Sequence, residues 1–185
     1  MDPELCNALF IGIATDTGWF RHSNTDARTL EAAADLVRRG VVAHELYQEL
    51  YQTDSAARVR LMGALLSSME LHADDRAAVL CLTRKMREGA GARMSDAEDM
   101  INEPLRIAEV RVSVLLAEQD DGTVRASFRS KPAVVPGERD YDVAALAQRF
   151  GGGGHRRASG AKLKIGMAEA YGLIVPPIIE MLGER

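Results

Sequence analysis

Cysteine is nearly absent from this 185-residue chain. Cys6 and Cys81 stand far apart with no Cys-x-x-Cys spacing, which excludes a disulfide framework and a zinc ribbon and suits a reducing cytoplasm. Excess positive charge is lacking too. A formal net charge of −4 excludes a broad polyanion-binding surface, so any nucleic-acid contact has to come from a local pocket that takes a short or mononucleotide ligand. No uninterrupted apolar stretch approaches the roughly 18–20 residues of a membrane span, and no charged start precedes an apolar signal core. The chain is read as cytoplasmic, without a membrane partner. Internal repeats, coiled-coil heptads and low-complexity tracts are missing as well. What remains, 46% hydrophobic and 27% charged, is ordinary globular chemistry with enough residues to bury a core.

Glycine, by contrast, is concentrated. Phe150 is followed by Gly151-Gly152-Gly153-Gly154-His155-Arg156-Arg157-Ala158-Ser159-Gly160. Four consecutive glycines permit positive φ and put no Cβ between backbone amides and an anion. A histidine and two arginines follow at once, so the stretch reads as a phosphate-handling loop, with a flexible turn as the alternative. It is not a Walker A loop, because no Gly-Lys-Ser/Thr follows, nor a dinucleotide fingerprint, because it follows a helix-like segment rather than a strand. A second stretch, Ala14-Thr15-Asp16-Thr17-Gly18-Trp19-Phe20-Arg21-His22-Ser23-Asn24-Thr25, is too rich in small polar residues to be core. Its Asp16 follows an apolar run, the place of a metal-binding carboxylate in α/β proteins or of a simple turn cap.

Around these stretches the hydrophobic period changes along the chain. Met1 to Ala14 reads as the inside of an apolar helix. Asn24 or Thr25 caps a helix through Arg39, stopped by Gly40, and a second helix carries Ala43, Leu46, Tyr47, Leu50 and Tyr51, the tyrosines as packing residues. Asp54 caps a third helix, a connector. From Leu66 the period is two: Met69–His72 and Ala77–Leu82 form strands around a turn at Ala73-Asp74-Asp75. Ser95 then caps a short helix, with Glu98 as its capping-box partner and Pro104 as its bound. Val110 to Leu116, the turn Asp120-Asp121-Gly122 and Val124 to Arg129 make a hairpin whose apolar face packs on helices. Its Ser127 and Arg129 face solvent or a ligand, and Ser130-Lys131 extends that polar end. Pro132 to Arg139 is a loop. Asp142 caps a helix with Val143, Leu146, Ala147 and Phe150 inward; Ala161 to Ile165 is a strand; Ala168 to Leu182 is a helix interrupted at Pro176-Pro177.

Asp16-Thr17-Gly18 with Phe20-Arg21-x-Ser23-Asn24-Thr25, then a helical connector, Ser127-Phe128-Arg129-Ser130 and the Gly151 to Gly160 run resemble, over essentially the whole chain, the DHH phosphoesterase family. The nearer branch holds oligoribonucleases that degrade nanoRNA and dephosphorylate 3′,5′-bisphosphonucleosides; single-strand exonucleases of the RecJ type are more distant. The resemblance implies an α/β fold: a C-terminal part of the DHH domain over 1–53, a connector helix over 54–66, and a DHH-associated substrate-binding domain over 67–185, a mixed β-sheet flanked by helices. It implies Asp16 as a catalytic manganese ligand in a two-metal Mn²⁺ site. Gly152, Gly153, Gly154 and His155 would hold the phosphate or nucleotide end of the substrate, and Arg129, with Ser127 and Ser130, a second phosphate contact. The implied substrate is a short single-stranded RNA or a 3′,5′-bisphosphonucleotide.

One departure from the family shapes the expectation. Its paired-aspartate motif, its further aspartate and its Asp-His-His triplet lie upstream of Asp-Thr-Gly and do not occur here, and His22, His44 and His72 have no ligand spacing to replace them. The chain is expected to be the carboxy-terminal part of such an enzyme, supplying mainly substrate binding; the alternative is a catalytically inactive nucleotide- or RNA-end-binding module. The related domain of alanyl-tRNA synthetases fits less well, having no Asp-Thr-Gly stretch. The apolar Met1 to Ala14 segment, without partner strands, points to a homodimer.

Overall fold

Asp2 opens the first helix: its carboxylate accepts a hydrogen bond from the Glu4 amide at 3.1 Å, and Pro3, whose missing N–H costs nothing there, takes the first helical position. In the computed structural model, which describes residues 2–133 and 137–183, α1 (Pro3–Asp16), α2 (Ala27–Arg38) and α3 (Ala43–Tyr51) make one unit, residues 1–54. Its small core gathers Cys6, Phe10, Ala14, Ala33, Leu36, Val41 and Leu46. The cap of α2 is Asp26, not Asn24 or Thr25, because its carboxylate takes both the amide and the hydroxyl of Thr29 at 2.8 and 2.9 Å. Those bonds hold the Asp26 carboxyl below its usual range.

The second unit, residues 55–185, opens with α4 (Ala56–Ser67), capped by Ser55 rather than Asp54, the Arg58 amide donating to its Oγ at 3.1 Å. A six-stranded sheet follows: β1 (Glu70–His72), β2 (Ala77–Leu82), β3 (Val112–Glu118), β4 (Val124–Ser130), β5 (Gly153–His155) and β6 (Ala158–Leu163), in the order β1-β2-β3-β4-β6-β5. Only β2 and β3 pair in parallel; the sheet is therefore mixed. A parallel pair needs a crossover. Here it is α5 (Arg84–Ala90), with Thr83 as N-cap and Gly91 in the left-handed region as its stop, and two 3-10 turns, Met94–Ala97 and Met100–Arg106. The first turn is fixed by Asp96, whose carboxylate accepts from the Arg93 amide at 2.6 Å; Ser95 lies inside the turn instead of capping it, and Pro104 lies inside the second.

One face of the sheet is sealed by α6 (Val143–Gln148) and α7 (Met167–Gly183), which bury Val114, Leu116, Ala126, Phe128, Ala161 and Leu163. Truncating a fully buried ring such as Phe128 to Ala costs about 3–5 kcal/mol. The interruption expected at Pro176-Pro177 does not occur. Ile174, Val175, Ile178 and Leu182 are buried against the sheet, while Gly172 and Leu173, whose carbonyls lose their donors to the two prolines, are on the exposed side. The other face is covered over β2 and β3 alone, by Leu61 and Leu65 of α4 and Ala97, Met100 and Ile101 of the 3-10 turns. Beyond the strip of β4 beside the second 3-10 turn, no described helix of this unit packs on that face. The strand expected at Ala161 begins earlier, at Ala158, and the glycine run is itself part of a strand. Of the loop expected over Pro132 to Arg139, residues 134–136 lie outside the described residues.

Candidate functional site

The open half of the sheet is built by period-two alternation. On β4, Val124, Ala126, Phe128 and Ser130 are buried, which turns Arg125, Ser127 and Arg129 to the other face. The register extends them across the neighbouring strands: Arg129 stands opposite Ala158, which pairs with His155; Ser127 stands opposite Gly160, which pairs with Gly153; Arg125 stands opposite Lys162. Three rows result. Small residues, Ala158, Gly160 and Gly153, floor a trough whose sides carry two arginines, a lysine, a serine and a histidine. With neighbouring strands about 4.8 Å apart, Arg129 and His155 sit about 10 Å from each other across the trough.

Two adjoining cavities occupy this face. One, of about 450 Å³, runs from β3 and β4 to the wall formed by the 3-10 turns, with Arg125, Ser127 and Arg129 below and Ser95, Glu98 and Asp99 above. The other, of about 500 Å³, lies over Gly153, Gly160 and Lys162; Gln119 and Arg125 belong to both. The wall is pinned by Arg58 of α4, whose guanidinium donates to the carbonyls of Asp96 and, at 3.0 Å, Glu98. Donors on the floor and carboxylates on the wall match a ligand that carries both phosphate and hydroxyl groups.

The glycines have a structural reason of their own. A Cβ on Gly152 would stand 2.1 Å from the Gly160 carbonyl oxygen, and one on Gly154, at φ +141°, 2.6 Å from that of Ala158. The Gly151 and Gly152 amides are already bonded, to the Gln148 and Ala147 carbonyls. Gly153 is the open one: its Cβ would meet nothing. The hairpin tip is held in place by Val143 N–H to Arg156 O, by Ser159 Oγ to Val143 O at 2.6 Å, and by Asp140, which pairs with Arg156 at 3.1 Å and Arg157 at 3.4 Å. Those two arginines are thereby engaged, and His155 is left exposed at the trough's edge.

Of the expected site residues, Ser127, Arg129, Gly153 and His155 are brought to this one face. Ser130 is not: it is buried, and its hydroxyl donates to the Tyr141 carbonyl at 2.9 Å. Asp16 lies in the first unit, at the end of α1, exposed, with its carboxylate accepting from Asn24 Nδ2 at 2.9 Å. Among the described residues no group of three or more His, Cys, Asp and Glu side chains is placed to hold a metal ion. Reading by sequence missed Lys162, Gln119, Glu98 and Asp99. It also missed Ser113, fully buried directly opposite Arg129 with its hydroxyl unpartnered. The signal for Lys162 was its place in the alternation of β6; the wall residues gave none.

Residues 74–172 match the DHHA1 domain. The chain is 31% identical over 163 residues to the bifunctional oligoribonuclease and PAP phosphatase NrnA of Bacillus subtilis, an alignment covering 88% of this chain and 49% of that protein. To the protein of the same name from Thermus thermophilus it is 34% identical over 180 residues, covering 97% and 51%. The crystal structure of an exopolyphosphatase-related protein from Bacteroides fragilis superposes with a TM-score of 0.81 at 28% identity, over 99% of this chain and 53% of that one. The chain thus spans about half the length of the curated relatives it matches. No helix among the described residues is long and apolar enough to cross a membrane.

Proposed function

The chain belongs to the DHHA1 domain family, and from that membership we propose that it is the substrate-holding part of a phosphoesterase acting on short single-stranded oligoribonucleotides or 3′,5′-bisphosphonucleotides. The observation that carries the reading is the three-row trough, which concentrates Arg125, Arg129, Lys162 and His155 on one open face of a chain whose net charge is −4. The names of the NrnA relatives supply the substrate class.

In this reading the Arg129 guanidinium forks onto the non-bridging oxygens of one phosphate, and Ser127 donates a third hydrogen bond from the next row. The ring of His155 closes the far side, and Gly153 and Gly160 keep the floor low enough for the phosphate to sit against the backbone. Glu98 and Asp99 accept from ribose hydroxyls at the wall. Held in this way, the scissile phosphate is oriented without cost at the moment of reaction, which is what a binding domain contributes to hydrolysis. Manganese is the proposed cofactor, with Asp16 as the donor this chain offers; because the described residues place no complete ligand set around it, no chemical step is derived there.

The test is a binding titration of a 5′-labelled diribonucleotide, run beside an assay for manganese-dependent release of mononucleotide. Arg129→Ala is expected to weaken binding by about 1.5–3 kcal/mol, the range for a hydrogen bond to a charged group, or roughly 10- to 150-fold. Unchanged affinity would refute the trough as the phosphate site. Binding without turnover is the result expected of a substrate-holding part, and mononucleotide release that Asp16→Ala abolishes would mean that the chain completes its own metal site.

A further inference from the structure

The third row of the trough contains an arrangement that folding alone does not favour. Arg125 and Lys162 face each other across an antiparallel pair, and like charges in that position repel. Among the described residues the Arg125 side chain has no hydrogen bond or ion pair. Lys162 has one counter-ion, Asp121 in the β3–β4 turn, with Nζ 2.8 Å from Oδ2. Asp121 is itself fixed by the amide and hydroxyl of Thr123, at 3.0 and 2.5 Å. Lys162 and Thr123 together hold the Asp121 carboxyl well below the usual range, so it stays ionised in any ordinary buffer.

Both cations line the 500 Å³ cavity, and Arg125 also lines the cavity of Arg129. Arg125 and Arg129 are four residues apart on one strand, about 13 Å along it, further than the oxygens of a single phosphate reach. With their side chains extended apart, the two rows have room for two separate anions. Resting on the reading of the trough as a nucleotide site, we propose that Arg125 and Lys162 form a second phosphate subsite, and that the Asp121 carboxylate occupies Lys162 until a ligand with a second phosphate displaces it. A ligand with one phosphate, seated at Arg129, leaves the Asp121–Lys162 pair intact. A ligand with two or more engages both rows, and the side chain that fills the second in its absence comes from the chain itself.

The experiment is calorimetric titration of the full chain with three probes: adenosine 5′-monophosphate, adenosine 3′,5′-bisphosphate and 5′-phosphorylated triadenylate. The variants are Arg125→Ala, Lys162→Gln and Asp121→Asn, with Arg129→Ala as the control for the underlying reading. All three test side chains are exposed, two on the sheet face and Asp121 in the turn, so the substitutions leave the core untouched. Arg125→Ala and Lys162→Gln are expected to weaken a multi-phosphate probe about tenfold while changing the monophosphate by less than about twofold, as loss of one charge-assisted contact requires. Asp121→Asn is expected to tighten the same multi-phosphate probe about threefold by removing the competitor. A loss confined to the triadenylate identifies a backbone phosphodiester as the second anion, and a loss that includes the bisphosphate identifies a terminal 3′-phosphate. Equal losses for all three probes, or none, would overturn the subsite, and weaker binding in Asp121→Asn would overturn the competition. If Arg129→Ala changed nothing for any probe, the nucleotide-site reading would fall, and the subsite with it; a loss in Arg129→Ala beside unaltered Arg125→Ala and Lys162→Gln overturns the subsite alone.

Discussion

Gly152 and Gly153 are adjacent in sequence, and the structure predicts opposite outcomes for the same substitution. A Cβ on Gly152 would lie 2.1 Å from the Gly160 carbonyl oxygen and 2.7 Å from the Ala161 Cβ. Both neighbours belong to β6, pinned on its other edge to β4, so the clash is relieved only by moving β5 away. That movement strains the bond from the Gly152 amide to Ala147 and the three pairs of the β5–β6 ladder. Overpacking of this kind costs about 2–3 kcal/mol, and at about 4 °C per kcal/mol for a unit this size Gly152→Ala should lower the melting temperature by roughly 8–12 °C. At Gly153 a Cβ meets nothing and φ is not positive, so Ala is accommodated; the smaller entropy of its unfolded chain makes the change neutral to about 0.5 kcal/mol stabilising. Gly153 nevertheless floors the trough, and its methyl group should weaken nucleotide binding. Thermal denaturation and nucleotide titration of both variants decide the matter. Equal melting temperatures would refute the steric argument, and a stable Gly153→Ala variant with unaltered binding would refute the placement of Gly153 under the ligand.

Ser130→Ala should lose about 1–2 kcal/mol in a denaturant titration, because the buried Tyr141 carbonyl is left without its donor, while nucleotide affinity stays as it was. Tyr171 is pushed up to about 12, first by its burial and then by its hydrogen bond to Glu70. The folded chain therefore keeps a proton that the unfolded chain releases from about pH 10 upward, and the stability from this group is present below pH 10 and lost as pH rises toward 12. Absorbance titration of phenolate should find one late-titrating tyrosine that Tyr171→Phe removes.

Much of this fold was legible because burial imposes its period on the sequence. Val124, Ala126 and Phe128 had to face helices, so Ser127 and Arg129 had to face away, and both statements follow from alternation alone. Three features were not legible. The β5 strand is made of residues that strands avoid, and it forms because Gly152 and Gly154 admit a close approach to β6 that no other residue allows. Helix α7 continues through two prolines because its buried face outweighs the hydrogen bonds they remove. Helix α5 carries its signals, Thr83 before it and Gly91 after it, but shows no apolar stripe, since none of its residues is fully buried. The site was half legible for a related reason: Arg129 and His155 announce their chemistry, whereas Lys162 and Asp121 become meaningful only once the register sets them beside Arg125.

The position of the trough follows from how the strands are connected. The parallel pair β2–β3 requires a crossover, and α5 with the two 3-10 turns places it on one face, where together with α4 it covers Leu80, Leu82, Leu115 and Ala117. The link from β3 to β4 is a tight turn and covers nothing. From β4 to β6 the chain runs by α6, which packs on the opposite face, sealing Phe128 and Ala161 there. Within the second unit the first face is thus left with a step, where the edge of the 3-10 turns stands beside strands that no described helix of that unit covers. Apolar side chains on those strands would be exposed, so their outward positions are restricted to small or charged residues. Small residues at Ala158, Gly160 and Gly153, charged ones at Arg125, Arg129 and Lys162, and a wall with its own carboxylates give that step the chemistry of the proposed anion groove. In the proposed reading the wall of 3-10 turns, standing at one side of this cation cluster, limits the length of ligand that the step takes.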